Sequence, residues 1–169
     1  GVSFITNKGN PRGGSTITMQ VVRNITMNFE NSLERKVQEW YGAIQLEKKL
    51  SKWQILELYM NICYWGNSCY GVESASKKYF GKSVKDLNLA QCALLAGITN
   101  NPSKYNPLTE KGRENAKQRQ ELILGKMLEL GKITREEYEE AIKADLEFNT
   151  AEEIKKPVNI QSYFVDQVI

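Results

Sequence analysis

Apolar residues recur every three or four positions through most of this chain, and that spacing confines it to packed α-helices. In residues 36–50 one stripe runs through Glu39, Ala43, Leu46 and Leu50, while Val37, Trp40, Tyr41 and Ile44 form an adjoining face. Ser51-Lys52-Trp53-Gln54 reads as a capping box that opens the next helix, on which Ile55, Leu58, Tyr59 and Ile62 fall at helical spacing. Val72, Ala75, Ser76, Tyr79 and Phe80 define another, stopped by Gly81, and residues 89–96 a more buried one. Asn100-Asn101-Pro102 and Asn106-Pro107 break the pattern over residues 99–107. It resumes over 113–130, ends at Gly131, and restarts at Thr134-Arg135-Glu136-Glu137 with Tyr138, Ala141 and Ile142. With no hairpin signal and no internal repeat, the expected fold class is all-α, or mainly α.

Composition narrows the chemistry. A chain of 169 residues buries about two thirds of its unfolded surface in a compact fold. Its 41% hydrophobic and 25% charged residues exclude disordered, collagen-like and coiled-coil classes. A net charge of +3 without basic blocks gives no reason to expect nucleic acid; a basic site, rather than a basic protein, fits better. No apolar run approaches the ~20 residues of a spanning helix. Histidine is absent, which removes imidazole acid-base work and most zinc or haem ligation, so carboxylates must carry any proton transfer. Cys63 and Cys69 are close enough for a small disulfide in an oxidising compartment. Cys92 sits among Leu89, Ala93 and Ala96 on a stripe that reads as buried. An odd count of three favours core thiols over a disulfide scaffold, and no metal site is expected among them.

Two segments carry the candidate site. In Arg12-Gly13-Gly14-Ser15-Thr16-Ile17-Thr18-Met19-Gln20, two glycines let the backbone pass close to a ligand. Ser15 or Thr16 can then cap a helix whose first N–H groups attract an anion. An ordinary capped helix start reads the same way, and the Lys-Ser/Thr pair of a P-loop is missing. Gln20 and Arg23 are three apart, so amide and guanidinium can address one oxyanion from one side. In Arg35-Lys36-Val37-Gln38-Glu39, Lys36 shares a helix face with Glu39 and Arg35 lies one step around. Glu39 falls on an apolar stripe, where a carboxylate pairs with a base or has its pKa raised; a solvated Glu beside a neighbouring base is the bland alternative.

Four ordered blocks, GGSTITMQVVRN, RKVQEWYGAIQLEKKLSKWQILELYMN, GVESASKKYFGK and LNLAQCALLAGITNNPSKYNP, leave little of residues 13–107 uncovered. In order and spacing they resemble the later motifs of the family 51 peptidoglycan glycosyltransferases, the polymerising domain of class A penicillin-binding proteins. The resemblance implies a lysozyme-like all-α glycosyltransferase fold with a small membrane-facing lobe. The family's opening acidic, aromatic motif, of the form Glu-Asp-x-x-Phe and carrying its catalytic base, does not precede Gly13. The chain is therefore expected to be a piece of a longer protein, with residues 1–148 a partial glycosyltransferase domain. Residues 149–169 are expected to begin a linker toward a transpeptidase domain, Tyr163-Phe164-Val165-Asp166 looking like its start.

Carried over position by position, the resemblance makes Glu39 the family's second essential acid. It acts at the lipid-linked pyrophosphate, either holding a divalent ion or assisting departure of the leaving group. Ser15, Gln20, Arg23, Arg35 and Lys36 become substrate-binding residues on the donor side. Arg23 replaces a lysine common in the family, and a further family base falls at Asn31, a loss that weakens the phosphate site. The implied activity joins lipid II into β-1,4 glycan strands, with Mg²⁺ or another divalent cation acting through the substrate pyrophosphate. The implied partners are lipid II, the growing glycan strand, the membrane surface and phosphoglycolipid inhibitors of the moenomycin type. The expected location is the outer face of a bacterial cytoplasmic membrane, with an anchor outside these residues. Ile25, Met27, Phe29 and Leu33 read equally as a membrane-facing edge or a small local core. Gly71, Ala75, Tyr79, Phe80, Pro102 and Pro107 read as structural. The rival readings are a lysozyme-like glycan-cleaving enzyme with Glu39 as general acid, and a non-catalytic binding domain that keeps the donor pocket.

Overall fold

Side-chain oxygens placed one residue before each apolar run start most of the helices. In the computed structural model, which describes residues 14–30 and 32–149, these helices are α1 (Ile17–Thr26), α2 (Leu33–Lys49), α3 (Lys52–Ile62), α4 (Val72–Phe80), α5 (Leu89–Ile98), α6 (Glu110–Glu129) and α7 (Arg135–Lys143). A 3-10 turn at Val84–Asp86 follows α4. Ser32, Asn88, Thr109 and Thr134 accept from backbone N–H groups three residues on, satisfying donors that a helix start leaves open. The expected box at Ser51–Gln54 closes, and Asn88 with Gln91 and Thr134 with Glu137 make two more. Gly81, with φ 67°, ends α4 as expected. The loop after α5 lies where the Asn-Pro pairs place it, and α6 begins earlier than expected because Thr109 caps it. Among the described residues the fold is all-α, with one isolated β-bridge between Tyr64 and Tyr70. Gly13, Asn31 and the linker expected beyond Asn149 lie outside the described residues.

The helices sort into two compact units that divide between Ile62 and Cys63. In the first, α1 packs on both α2 and α3, burying Met19, Val21, Val22, Ala43 and Ile55. Ile25, Met27, Phe29 and Leu33 are all exposed, so they form no local core; Val37, Trp40, Tyr41 and Ile44 are exposed with them. In the second unit α5, α6 and α7 meet around Ala90, Ala93, Leu124 and Ala141, with Leu89, Ile123, Met127 and Tyr138 packed against that cluster. The buried Gln120 amide donates to Ala90 O at 2.7 Å. The stretch between Cys63 and Gly71 turns through Gly66, Asn67 and Ser68, all with positive φ. It is pinned by Asn67 Nδ2, which donates to Tyr79 Oη and Asn106 Oδ1 at 3.0 and 2.8 Å, while Tyr79 donates to Trp65 O at 2.8 Å. Burial pushes the Tyr79 phenol up to about 12.

Cys63 and Cys69 stand as buried thiols. The Tyr64–Tyr70 bridge sets them diagonally across the pair, a relation in which residues stand roughly 7–8 Å apart, beyond the ~4.4–6.8 Å between Cα atoms that a disulfide spans. Cys92 corrects the sequence reading: it is exposed. Helix α5 is buried nearly all round, through Ala90, Gln91, Ala93, Leu94, Leu95, Gly97 and Ile98, and its one outward strip is Cys92 and Ala96. An apolar strip facing outward carries no sequence signal that distinguishes it from the buried ones.

Two glycines of α6 provide opposite tests of this packing. A Cβ on Gly112 meets the Asn106 carbonyl oxygen and stands 2.6 Å from Thr109 Oγ1, whereas one on Gly125 meets nothing within 4 Å. Gly112→Ala is expected to lower stability by about 1–3 kcal/mol and Gly125→Ala to raise it by about 0.8–1 kcal/mol in urea unfolding. Two variants of equal stability would show that α6 does not start against the Asn106 carbonyl.

Candidate active site

Glu39 sits one third of the way along α2 on the face that packs against α1, and is 1% exposed. Close packing makes the meeting possible. A Cβ on Gly42 of α2 would stand 2.8 Å from Val22 Cγ1, so a larger residue there forces α1 outward. With α1 held in, Arg23, the next residue along, reaches across to Glu39. Thr18 Oγ1 donates to Glu47 Oε1 at 2.7 Å and ties the two helices a second time.

The carboxylate is surrounded by bases. Arg23 grips it with the Nε–Nη2 edge of its fork, Nε donating to Oε1 at 2.7 Å and Nη2 to Oε2 at 3.2 Å. Lys36 Nζ lies 2.7 Å from Oε2, and Arg35 Nε lies 3.3 Å from Oε1. Ser15 Oγ accepts from Lys36 Nζ at 2.9 Å and from Arg23 Nη2 at 3.2 Å. That role is open to Ser15 because Thr16, the other capping candidate, is the N-cap of α1, its side chain accepting from Met19 N at 3.2 Å. Burial on its own raises the Glu39 pKa, but the hydrogen bonds and charges of Arg23 and Lys36 together outweigh it and hold the carboxyl below its ordinary value. The Glu39 hydrogen bond in turn raises Arg23, against the opposing effect of burial.

The structure therefore unites Ser15, Arg23, Arg35, Lys36 and Glu39. Gln20 does not join them: it is half-buried one turn before Arg23, and none of the cluster's hydrogen bonds comes from it. The bland alternative for Glu39, a solvated surface pair, does not hold at 1% exposure. Gly42 and Thr18 went unrecognised as site residues. Gly42 interrupts the apolar pattern of α2, a signal that was available.

Three cations against one carboxylate leave the cluster at net +2. Arg23 and Lys36 are 25% and 23% exposed at their side chains, so the positive side of the cluster is the side open to solvent. An anion can be held there by the Arg23 Nη1 hydrogens, the third Lys36 hydrogen and the Ser15 hydroxyl hydrogen, which the cluster's own bonds leave over. A protein-held divalent ion does not fit, because both Glu39 oxygens are already taken by cations. Among the described residues no group of three or more His, Cys, Asp or Glu side chains could hold a metal.

Residues 2–128 match the family described as Transglycosylase. The chain belongs to the transglycosylase family. Relatives within reach include penicillin-binding protein 1A of Clostridium tetani, 51% identical over 133 residues, or 78% of this chain and 17% of that protein. Penicillin-binding protein 1A of Aquifex aeolicus is 44% identical over 157 residues, 93% of this chain and 21% of the relative. A putative transglycosylase of Cupriavidus necator is 47% identical over 131 residues, 78% of this chain and 56% of its own length. The crystal structure of penicillin-binding protein 1A from Haemophilus influenzae superimposes with a TM-score of 0.54 at 28% identity, covering 80% of this chain and 17% of that one. The transglycosylase chain thus spans about a fifth of the length of its penicillin-binding relatives. The all-α fold expected from the helical spacing is the fold of this family.

Because the folded pKa of Glu39 lies below its unfolded value, its stabilising contribution is present above the ordinary carboxylate pKa and is lost as pH falls through the folded value. Glu39→Gln leaves three buried or half-buried cations without their carboxylate and is expected to cost about 3 kcal/mol at pH 7. Urea unfolding should show this gap narrowing once pH falls below the ordinary Glu value of about 4.3 and closing as it passes through the lower folded value. A gap independent of pH would mean that Glu39 is not ionised in the folded chain.

Proposed function

We propose that this chain carries the donor-side pyrophosphate site of a peptidoglycan glycosyltransferase, the enzyme class that polymerises lipid II into β-1,4 glycan strands for bacterial cell-wall synthesis. The supporting observation is the net +2 charge of the cluster, built on a buried carboxylate with its remaining donors on the exposed side. A pyrophosphate diester carries two negative charges, one on each phosphate, and the cluster matches them. As the bond from anomeric carbon to phosphate breaks, charge grows on the leaving pyrophosphate. Donors fixed beforehand by their own hydrogen bonds stabilise that charge without reorganising. Ser15, Arg23 and Lys36 are the residues that touch phosphate in this reading. Arg35 adds charge from behind, and Gln20, further along α1, addresses a more distant part of the donor.

In the same reading the acceptor 4-hydroxyl attacks the anomeric carbon in a single displacement, which inverts the configuration. The base that takes the hydroxyl proton belongs to the family's acidic opening motif, and no stretch of that form lies within residues 1–169. Mg²⁺ acting through the substrate phosphates asks no ligand of this cluster. Exposed Ile25, Met27, Phe29 and Leu33 stand on the same unit as the phosphate site and suit it to a lipid-linked substrate at the outer membrane surface. No described helix is long and apolar enough to cross a membrane. The rival in which Glu39 serves as the general acid of a glycan-cleaving enzyme needs a protonated carboxyl in neutral solution, and the surrounding cations work against it.

Titration with a phosphoglycolipid of the moenomycin type tests the site. Binding should weaken as salt rises, and Arg23→Ala should cost about 1.5–3 kcal/mol, the range for hydrogen bonds to charged groups. Equal affinity of the variant removes Arg23 from the site. Gel analysis of lipid II products separates an enzyme from a binding domain. Residues 1–169 alone should give negligible polymer, since general-base assistance contributes typically 10²–10⁴ in rate. A longer form that includes the acidic motif should give long strands. Robust polymer from residues 1–169 would place the base among them, and no polymer from the longer form would favour a binding domain.

A further inference from the structure

We infer that Glu39 is a positioning residue, a carboxylate that stays ionised while it holds Arg23, Arg35 and Lys36 in place, and that it neither gives a proton to the leaving group nor binds a divalent ion. The inference rests on the phosphate-site reading above for what the cations are aimed at, and on geometry alone for what Glu39 does. An ionised carboxylate has about four lone-pair sites. Three of these sites accept hydrogen bonds, Oε1 from Arg23 Nε at 2.7 Å and Oε2 from Lys36 Nζ at 2.7 Å and Arg23 Nη2 at 3.2 Å, and the Arg35 Nε charge stands 3.3 Å from Oε1 beside the fourth. A magnesium ion, which needs an oxygen at about 2.0–2.1 Å, would have to displace a hydrogen-bonded cation or enter directly against the Arg35 charge, and in either case sit beside the remaining cations. A proton meets the same obstacle. The groups facing Glu39 are Arg23 and Ser15, from α1 and the residues just before it, and Arg35 and Lys36 on its own helix; every charge among them favours the ionised form.

The arrangement also explains why three cations can share so small a space. Without the carboxylate they repel one another, and the long Arg23 and Lys36 side chains have room to swing into solvent. With it, Arg23 is locked through Nε and Nη2, which turns its Nη1 edge away from Glu39. Lys36 is locked through Glu39 and Ser15, with one hydrogen left over. Glu39 thus reaches the substrate through its neighbours, at 1% exposure itself.

The experiment uses the 169-residue chain and a short-chain prenyl diphospho-N-acetylglucosamine, whose two phosphates stay ionised across the range tested. Glu39 is followed through its carboxyl ¹³C signal and Arg23 through its Nε–H signal. In the wild type the carboxyl should remain ionised from pH 5 to pH 8, free and with the probe bound. The Arg23 Nε–H should exchange slowly and do so only while Glu39 is present. Probe affinity should vary less than twofold over that pH range. Glu39→Gln should weaken it at least tenfold although the site gains positive charge, and Glu39→Asp, which keeps the charge, should recover part of the loss. Mg²⁺ should change probe affinity by the same factor in wild type and Glu39→Gln. Protonation of Glu39 on probe binding at pH 6–7 overturns the inference in favour of an acid, and selective broadening of its carboxyl signal by Mn²⁺ overturns it in favour of a metal ligand. Should Glu39→Gln not fold, the wild-type carboxyl, Arg23 and Mn²⁺ measurements decide the question without it. A wild type that ignores the probe sinks the phosphate-site reading, and the free-protein signals of Glu39 and Arg23 then decide the clamp by themselves.

Discussion

A single buried carboxylate organises the first half of this protein. Glu39 is the only acidic side chain among the described residues that meets three bases at once, and those bases come from two helices and the turn before one of them is joined to them through Ser15. Burying a charge is costly unless it is paired and hydrogen-bonded, so α1 and α2 must keep the spacing that lets Arg23 reach it. Gly42 sets that spacing by admitting Val22, and Thr18 with Glu47 fixes it again. The core beneath is small, and few large side chains contribute to it: Met19, Val21, Val22 and Ile55. The ionic cluster and the apolar contacts therefore hold the same helix pair, and a change that splays the helices removes both.

In the function proposed above, the same cluster carries the chemistry. A site assembled from cations alone would repel itself; a site with equal numbers of acids and bases would have nothing left for a ligand. Three bases on one acid leave two positive charges and a set of donors already held in place. This is the property expected of a site that must favour a pyrophosphate more as it leaves than before. Membership of the transglycosylase family supports that proposal through sequence kinship, and the cluster's charge supports it through electrostatics.

The second unit depends on different forces. Its apolar cluster around Leu124 is continuous, and its one deeply buried phenol, Tyr79, anchors the turn at Gly66–Ser68 through hydrogen bonds rather than ion pairs. Ion pairs on this unit, such as Lys126 with Glu129 and Arg135 with Glu139, are exposed and contribute little. The contrast matters for function: desolvated charge is concentrated where the cations meet Glu39, and the remainder of the surface charge is ordinary.

Sequence by itself determined the class of the fold, most helix starts and stops, and the identity of the charged residues that gather around Glu39. These are local properties: a capping oxygen sits three residues from its N–H, Gly81 relieves the strain of positive φ, and Lys36 faces Glu39 because one turn separates them. It also flagged Glu39 as out of place on its stripe. Only the tertiary structure decided that Ser15 serves the cations while Thr16 caps the helix, that Gln20 stands outside the cluster, and that Cys92 faces solvent. It decided as well that Ile25, Met27, Phe29 and Leu33 are exposed and form no core. Each of these depends on which faces of neighbouring helices meet, and periodicity fixes the faces of a helix without saying what lies opposite. Arg23 and Glu39 are 16 residues apart, and nothing local to either brings them within 2.7 Å; the close packing of α1 on Gly42 does.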